Sequence, residues 1–472
     1  VSTFRARALH LAVIGLFLAG LAPSPTDRGL ADLVRTARSA VAGSDPASAL
    51  AALEEAWRRE PWLGAGLHRR AVRLALDAAQ WPSAEVHLNA ARGSGDSAEI
   101  RCLEWELPGG VTDPLDPTAG IAWNELEACP QAATLLEAEG QAALQRGDGE
   151  TAREAYRRLV QRLPDRADLR GQYALVLAAW RPDLALADLD LALSQGLQQP
   201  EMAESVAGIL RAAGRRQSGA ETLALVGQVY ARHNDWRLAR LALARAIELR
   251  PVFPAAYSYL GLAYDELGLD GRSLLEEALR QDPLLSLGHF LLGRHWYTRG
   301  LLGPAIAEVE TALSLSPADP SIAAFLGELY ARSGRPQAAE AAFQRAVELA
   351  PQAPEFWILL SQFSLANEIK IASVGIPAAR QAAVLDGQSP AAWEALGRGH
   401  LLLGDLTVAE RLLRRSVALG PERVSIRFHL GSLFHLTGRP AEAGAELEYV
   451  VAVGGTSLYA EWAQRALDDL RP

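Results

Sequence analysis

The stretch "FLGELYARSGRPQAAEAAFQRAVELAP" runs from Phe325 to Pro351, and "LVGQVYARHNDWRLARLALARAIELRP" runs from Leu225 to Pro251, the same residue classes in the same places one hundred residues earlier. In both, large apolar residues and Gly or Ala return at intervals of three and four, the stripe of an amphipathic helix. A turn-forming residue (Gly334, Asn234) breaks the stripe midway, and Pro351 or Pro251 closes it. Proline has no amide hydrogen and biases the residue before it away from helical geometry, so the second helix must stop there. Each stretch therefore reads as helix, turn, helix.

With Pro320 as position 1, Leu326 and Gly327 stand at positions 7 and 8, Tyr330 at 11, Ala339 at 20, Phe343 at 24, Ala346 at 27 and Pro351 at 32. Units opening at Ala133, Ala220, Ser286, Pro390 and Val424 carry equivalent landmarks, among them Gly140 and Tyr156, Gly293 and Ala305, and Trp393 and Gly397. Positions 4, 7, 8 and 11 form one apolar stripe on helix A, and Gly 8 with Ala 20 and Ala 27 marks where two helices approach closely. The Pro254 unit is two residues short at its inter-helix turn, which makes the offset 100 rather than three full periods of 34. A Gly, Asn or Asp near position 15 or 16 (Gly334, Asn234, Asp405) is expected to turn the chain.

This pattern resembles the tetratricopeptide repeat (TPR) family, whose unit is a 34-residue helix–turn–helix. The resemblance implies an all-α fold, a right-handed α-solenoid of about twelve TPR-like helix pairs, with one N-terminal hydrophobic signal or anchor helix added to it. The expected organisation is a signal peptide or signal anchor over 1–22, a linker over 23–29, and a degenerate TPR-like array over 30–198. A junction helix follows within 199–219, then the regular array over 220–455 and a capping helix over 456–472.

Arg5 and Arg7 precede the uncharged run "ALHLAVIGLFLAGLA", residues 8–22, the layout of a secretory signal. Fifteen residues of helix reach about 22 Å, short of the ~30 Å hydrocarbon core, which favours a cleaved signal. Pro23 after Gly20–Leu21–Ala22 argues against cleavage, so a signal anchor stays open. Either reading places the rest of the chain in the cell envelope, outside the cytoplasm. A soluble cytoplasmic protein whose first helix is simply buried is the remaining alternative.

Composition bounds the chemistry. About half the residues are apolar, 22% are charged, and the formal net charge is −10, which disfavours a nucleic-acid partner. The only lysine, Lys370, is followed by Ile371, so no phosphate loop exists. No Gly-rich strand-to-helix turn could seat a dinucleotide, and no Gly-x-Ser-x-Gly elbow appears. The pairs His289/His295 and His429/His435 are six residues apart and diverge on a helix, so neither forms a metal site. With repeats filling almost the whole chain, no enzyme, cofactor or metal centre is expected. Cys102 and Cys129 flank the loop 108–118 on two antiparallel helices with mismatched heights, which favours buried thiols over a disulfide. That loop, with Asp113 and Asp116, reads as an exposed insertion.

Stacked helix pairs build an extended superhelix whose concave face binds partners. In the family that this chain resembles, ligands lie against helix A positions 2, 5, 9, 12 and 13. The residues there include Arg232, Asp265, Glu266, Phe290, Arg294, Tyr297, Glu328, Arg332, Gln362, Glu394, Arg398 and Phe428, a mixed-charge surface with aromatic anchors. The Lys and Asn of the family's carboxylate clamp are missing: positions 5 and 9 read Ala224/Gln228, Ser258/Leu262, Phe290/Arg294 and Ala324/Glu328. The expected function is a non-catalytic interaction scaffold for protein or peptide partners, exported or membrane-tethered, with membrane contact only through the N-terminal segment. The alternative is the recognition or targeting subunit of an enzyme system, such as glycosyl transfer or cell-wall processing, whose catalytic domain is on another chain.

Overall fold

The computed structural model describes residues 28–43, 45–59, 68, 71–75, 78–92, 132–213 and 219–470. The expectations for residues 1–22, for Cys102 and Cys129 and for the loop 108–118 fall outside those residues. Among the described residues all regular structure is helical, and no helix is long and apolar enough to cross a membrane. The chain forms two compact units that part between Leu249 and Arg250. Repeats are named below by their first residue.

In the second unit the helix pairs follow one another as the 34-residue pattern requires. Helices A and B are Ser286–Thr298 with Leu302–Leu315, Pro320–Arg332 with Pro336–Leu349, Pro390–Leu402 with Leu406–Leu419, and Val424–Leu436 with Pro440–Gly454. Each helix B packs between its own helix A and the next one. The small residue at position 8 has a single cause. A Cβ added to Gly327 would stand 3.0 Å from the Phe343 ring, and one on Gly293 would stand 2.5 Å from Val309. Position 24 thus fills the space that position 8 leaves open. Ala305, Ala339, Ala409 and Ala443 at position 20 are fully buried.

Position 15 holds the left-handed turn, at Gly334 with φ +71° and at Gly404 with φ +82°. In the Pro390 repeat, therefore, Gly404 makes the turn and not Asp405, whose φ of −80° leads directly into helix B. The Pro354 repeat absorbs its extra residues differently. After helix A (Pro354–Ala366), Glu368 and Lys370 both take positive φ, and a π-helical turn, Ile371–Gly375, precedes helix B (Ile376–Leu385).

Position 4, read from sequence as part of the apolar stripe, has a second task. The indole nitrogens of Trp357 and Trp393 each donate at 2.9 Å to the carbonyl six residues upstream, Pro351 and Gly387. Arg427 donates likewise to Pro421 at 2.6 Å, Arg170 to Pro164 at 3.2 Å, and His289 Nε2 lies 3.0 Å from the Pro283 carbonyl. These carbonyls follow the end of the preceding helix B, where the last turn leaves acceptors without intrahelical donors. Position 4 ties one repeat to the one before it.

The first unit departs from this regularity. Its pairs are Arg28–Ala42 with Pro46–Arg59, Ala132–Arg146 with Gly149–Arg162, Ala167–Trp180 with Pro182–Ser194, and Gly219–Arg232 with Trp236–Leu249. The helix Glu201–Ala213, expected as a junction, sits inside this unit against Pro182–Ser194 and Gly219–Arg232. The helix Trp236–Leu249 reaches back across the intervening segment to pack on Ala167–Trp180 and Ala132–Arg146. Arg240, 8% exposed, donates at 2.7 Å to the carbonyls of both Leu144 and Gln145 at a helix C-terminus, where a cation is favoured. The buried Tyr230 hydroxyl donates to Leu175 at 2.6 Å, and the Arg245 guanidinium lies 4.8 Å from the Trp180 ring centroid.

Candidate partner-binding site

Six of the expected site residues come together in the second unit, on the A helices of the Pro254, Ser286 and Pro320 repeats. Glu266, at the end of Pro254–Glu266, forms an ion pair with Arg294 of the next helix A. Phe290 and Tyr297, seven residues apart on Ser286–Thr298, point the same way, because seven residues make nearly two helical turns. Both meet Phe325 edge-on, with ring centroids 5.5 Å away in each case. Phe325 was not among the expected site residues, although its place at position 6, beside the stripe, put it within reach of them.

The Tyr297 hydroxyl donates to Glu328 at 2.5 Å, and Arg332 Nε donates to the same carboxylate at 3.2 Å while its guanidinium lies 5.1 Å from the Tyr297 ring centroid. Burial, and then the bond to Glu328, push the tyrosine pKa up to about 12, so it remains a proton donor at physiological pH. Phe290, Tyr297, Arg294 and Glu328 are half-buried, and Arg332 is exposed. The surface thus alternates acid, base, aromatic edge, acid and base across three helices.

The other expected residues are placed apart from this group. Gln362 is exposed on helix Pro354–Ala366, and Arg398 reaches the Leu365 carbonyl at 3.4 Å. Asp265 is drawn inward, its carboxylate 2.9 Å from His295 Nδ1 and accepting the Gly271 amide at 3.1 Å. Glu394 is buried at 8% exposure, with burial raising its pKa, and lies 3.7 Å from His429 Nε2. Phe428 is covered by the capping helix Leu458–Leu470, through Tyr459 and Trp462 at centroid distances of 5.6 and 5.8 Å. Glu394 is thus buried against the following helix A, Val424–Leu436, and Phe428 is half-buried under the helix that follows its own repeat. Arg232 is exposed in the first unit, at the end of Gly219–Arg232.

Two TPR family models match the chain, one over 300–363 and the other over 124–167, 227–283, 269–321 and 394–455. The chain belongs to the tetratricopeptide repeat family. Its matched segments include the three repeats that carry the acid–base–aromatic surface. Solved TPR structures similar to it include the APC/C hetero-tetramer Cut9–Hcn1, at 14% identity over 94% of this chain and 97% of that one, with a TM-score of 0.42. Yeast Tom70 is similar at 13% identity over 94% and 95%, with a TM-score of 0.40. YrrB, described as a TPR protein with an unusual peptide-binding site, is similar at 15% identity over 40% of this chain and 97% of its own, with a TM-score of 0.32. A comparison with curated protein sequences returns no match. TPR repeats are consistent with a protein-interaction scaffold, and TPR proteins typically bind protein or peptide partners.

Proposed function

We propose that this TPR protein is a non-catalytic scaffold that holds an extended protein segment against the A helices of its second unit, at Arg294, Tyr297, Glu328 and Arg332. The observation that carries this reading is the row of half-buried aromatics and paired charges on consecutive helices. Arg and aromatic side chains are common interface anchors, and neighbouring ion pairs such as Glu266–Arg294 can exchange partners with an arriving charged peptide. The proposed partner carries acidic residues beside an apolar one, spaced to meet Arg294 and Arg332 on either side of Tyr297. We further propose that the chain works in the cell envelope, exported or tethered, on the strength of the Arg-flanked apolar run at 8–22.

Cross-linked purification from the membrane and soluble fractions of the native host tests both points. The expected result is a stable partner with the wild-type chain in the membrane fraction, lost when Arg294 and Arg332 are both changed to Glu. A partner retained by that double variant would refute the assigned surface, and a chain confined to the cytosol with its first residues intact would refute the envelope location.

A further inference from the structure

The shortened turn of the Pro254 repeat concentrates charge. Helix A ends at Glu266 and helix B begins at Arg272, and the two run so close that a Cβ on Gly271 would stand 2.1 Å from the Gly261 carbonyl oxygen. Asp265 closes this turn by accepting the Gly271 amide, and Asp270 lies within the turn, where its Oδ1 accepts the Arg272 amide at 3.1 Å. Across from both stands His295, on helix A of the following repeat and 1% exposed. Donor atoms of Asp265, Asp270 and His295 all lie within 4.8 Å of one another.

The imidazole is held at one nitrogen and unmatched at the other. Nδ1 lies 2.9 and 3.0 Å from the two Asp265 oxygens. An ionised carboxylate only accepts, so this contact places the proton on Nδ1 and leaves a lone pair on Nε2. Nε2 is buried, has no hydrogen-bond partner, and faces Asp270 Oδ1 at 3.8 Å. In the neutral imidazole two acceptors then face each other, a pair that a cation between them would satisfy. The 3.8 Å gap is too long for a hydrogen bond and slightly wider than the ~3.3 Å between ligands of a tetrahedral ion with bonds of about 2.0–2.1 Å. The Arg299 guanidinium is an imperfect substitute: it stands 3.4 Å from each carboxylate, and its Nη1 comes within 3.0 Å of Nδ1, donor against donor.

We propose that this cluster binds a divalent transition-metal ion of the zinc type, with His295 Nε2 and Asp270 as protein ligands and water completing the shell. Asp265 is the orienting carboxylate behind the imidazole, as second-shell partners of metal-bound histidines are, and Arg299 swings out to solvent. An imidazole and a carboxylate select zinc and its neighbours over calcium or magnesium, which need an all-oxygen shell. The ion joins the turn of one repeat to helix A of the next, so its binding stabilises that junction.

The test is calorimetric titration of the intact, chelator-treated chain with zinc chloride, alongside thermal unfolding. One zinc per chain and a raised unfolding temperature are expected, with affinity reduced at least tenfold in Asp270→Asn and His295→Gln. Asp265→Asn should lose about 10- to 100-fold, and Arg299→Gln should bind at least as tightly as wild type. Asp270 is on an exposed turn, so Asp270→Asn keeps the test open even if His295→Gln fails to fold. No binding at millimolar zinc, or binding that Asp270→Asn leaves unchanged, would overturn the proposal.

Discussion

The Ala167 and Pro354 repeats present position 9 of helix A to opposite surroundings. In the Ala167 repeat, positions 5, 9, 12 and 13 are Gly171, Leu175, Ala178 and Ala179, and all four are buried. The helix pair Gly219–Arg232 and Trp236–Leu249 lies against that helix A, with the Tyr230 hydroxyl bonded to Leu175 on it and Arg240 bonded to the end of Ala132–Arg146 beside it. In the Pro354 repeat, position 9 is Gln362 and is exposed, while helix B packs on its own side of the repeat. One repeat geometry thus gives two outcomes at position 9: Leu175 is covered by a later helix pair of its own unit, and Gln362 stays open to solvent.

The largest expected effect is on matched substitutions at position 9. Leu175→Arg buries an unpaired charge and should destabilise the first unit by about 4 kcal/mol or more, whereas Gln362→Arg should stay within about 0.5 kcal/mol. Hydrogen exchange resolved by segment checks both, because local opening reports each unit separately. Next in size is Arg240→Ala. It removes two charge-assisted bonds and leaves the Leu144 and Gln145 carbonyls without that donor, a loss of about 3 kcal/mol. Exchange should quicken over 132–146 and 236–249 and stay unchanged over 286–349.

A smaller effect follows pH at the capped end of the second unit. Burial lowers the His429 pKa to about 3, so His429 favours folding above pH 6.5 and that contribution fades as pH falls toward 3. Burial raises the Glu394 pKa, so Glu394 favours folding below pH 4.5 and loses that contribution as pH rises through its folded pKa. The two oppose each other between pH 4.5 and 6.5. Below pH 4.5 Glu394 no longer offsets His429, and stability at this end should fall as pH drops toward 3. His429→Gln should flatten that limb of an acid-unfolding curve followed by Trp462 fluorescence. The smallest effect is Trp393→Phe, which loses one bond to Gly387 and should cost about 1 kcal/mol in urea unfolding.

The 34-residue period was legible because each landmark has one cause: Gly 8 yields to the side chain at 24, Gly at 15 takes positive φ, and proline stops helix B. Position 4 was half legible, since Trp, His and Arg there share no hydropathy, only a donor at the right reach. The closure of the first unit left a signal too, in the run "ALVLAAW" of helix Ala167–Trp180. A helix apolar on all sides is a helix covered on all sides, but nothing local says that Trp236–Leu249 is the cover. Arg240 reads in sequence as one more solvated arginine, because its acceptors lie about ninety-five residues away. At the candidate site, Tyr297, Glu328 and Arg332 followed from repeat positions. Glu394 and Phe428 are each covered from the helix A that comes next, by His429 and by Tyr459 with Trp462, which positions within one repeat do not show. The cluster of Asp265, Asp270 and His295 spans two repeats and a shortened turn, which spacing within a single helix cannot show.

The proposed partner surface lies on A helices of the second unit, whereas helix Ala167–Trp180 of the first is covered by its own chain. Hydrogen exchange of the intact chain, with and without a peptide selected from a library on that chain, tests it most directly. The expected result is new protection over 286–298 and 320–332, with none over 132–180. Protection gained in Ala167–Trp180, with the second unit unchanged, would contradict it.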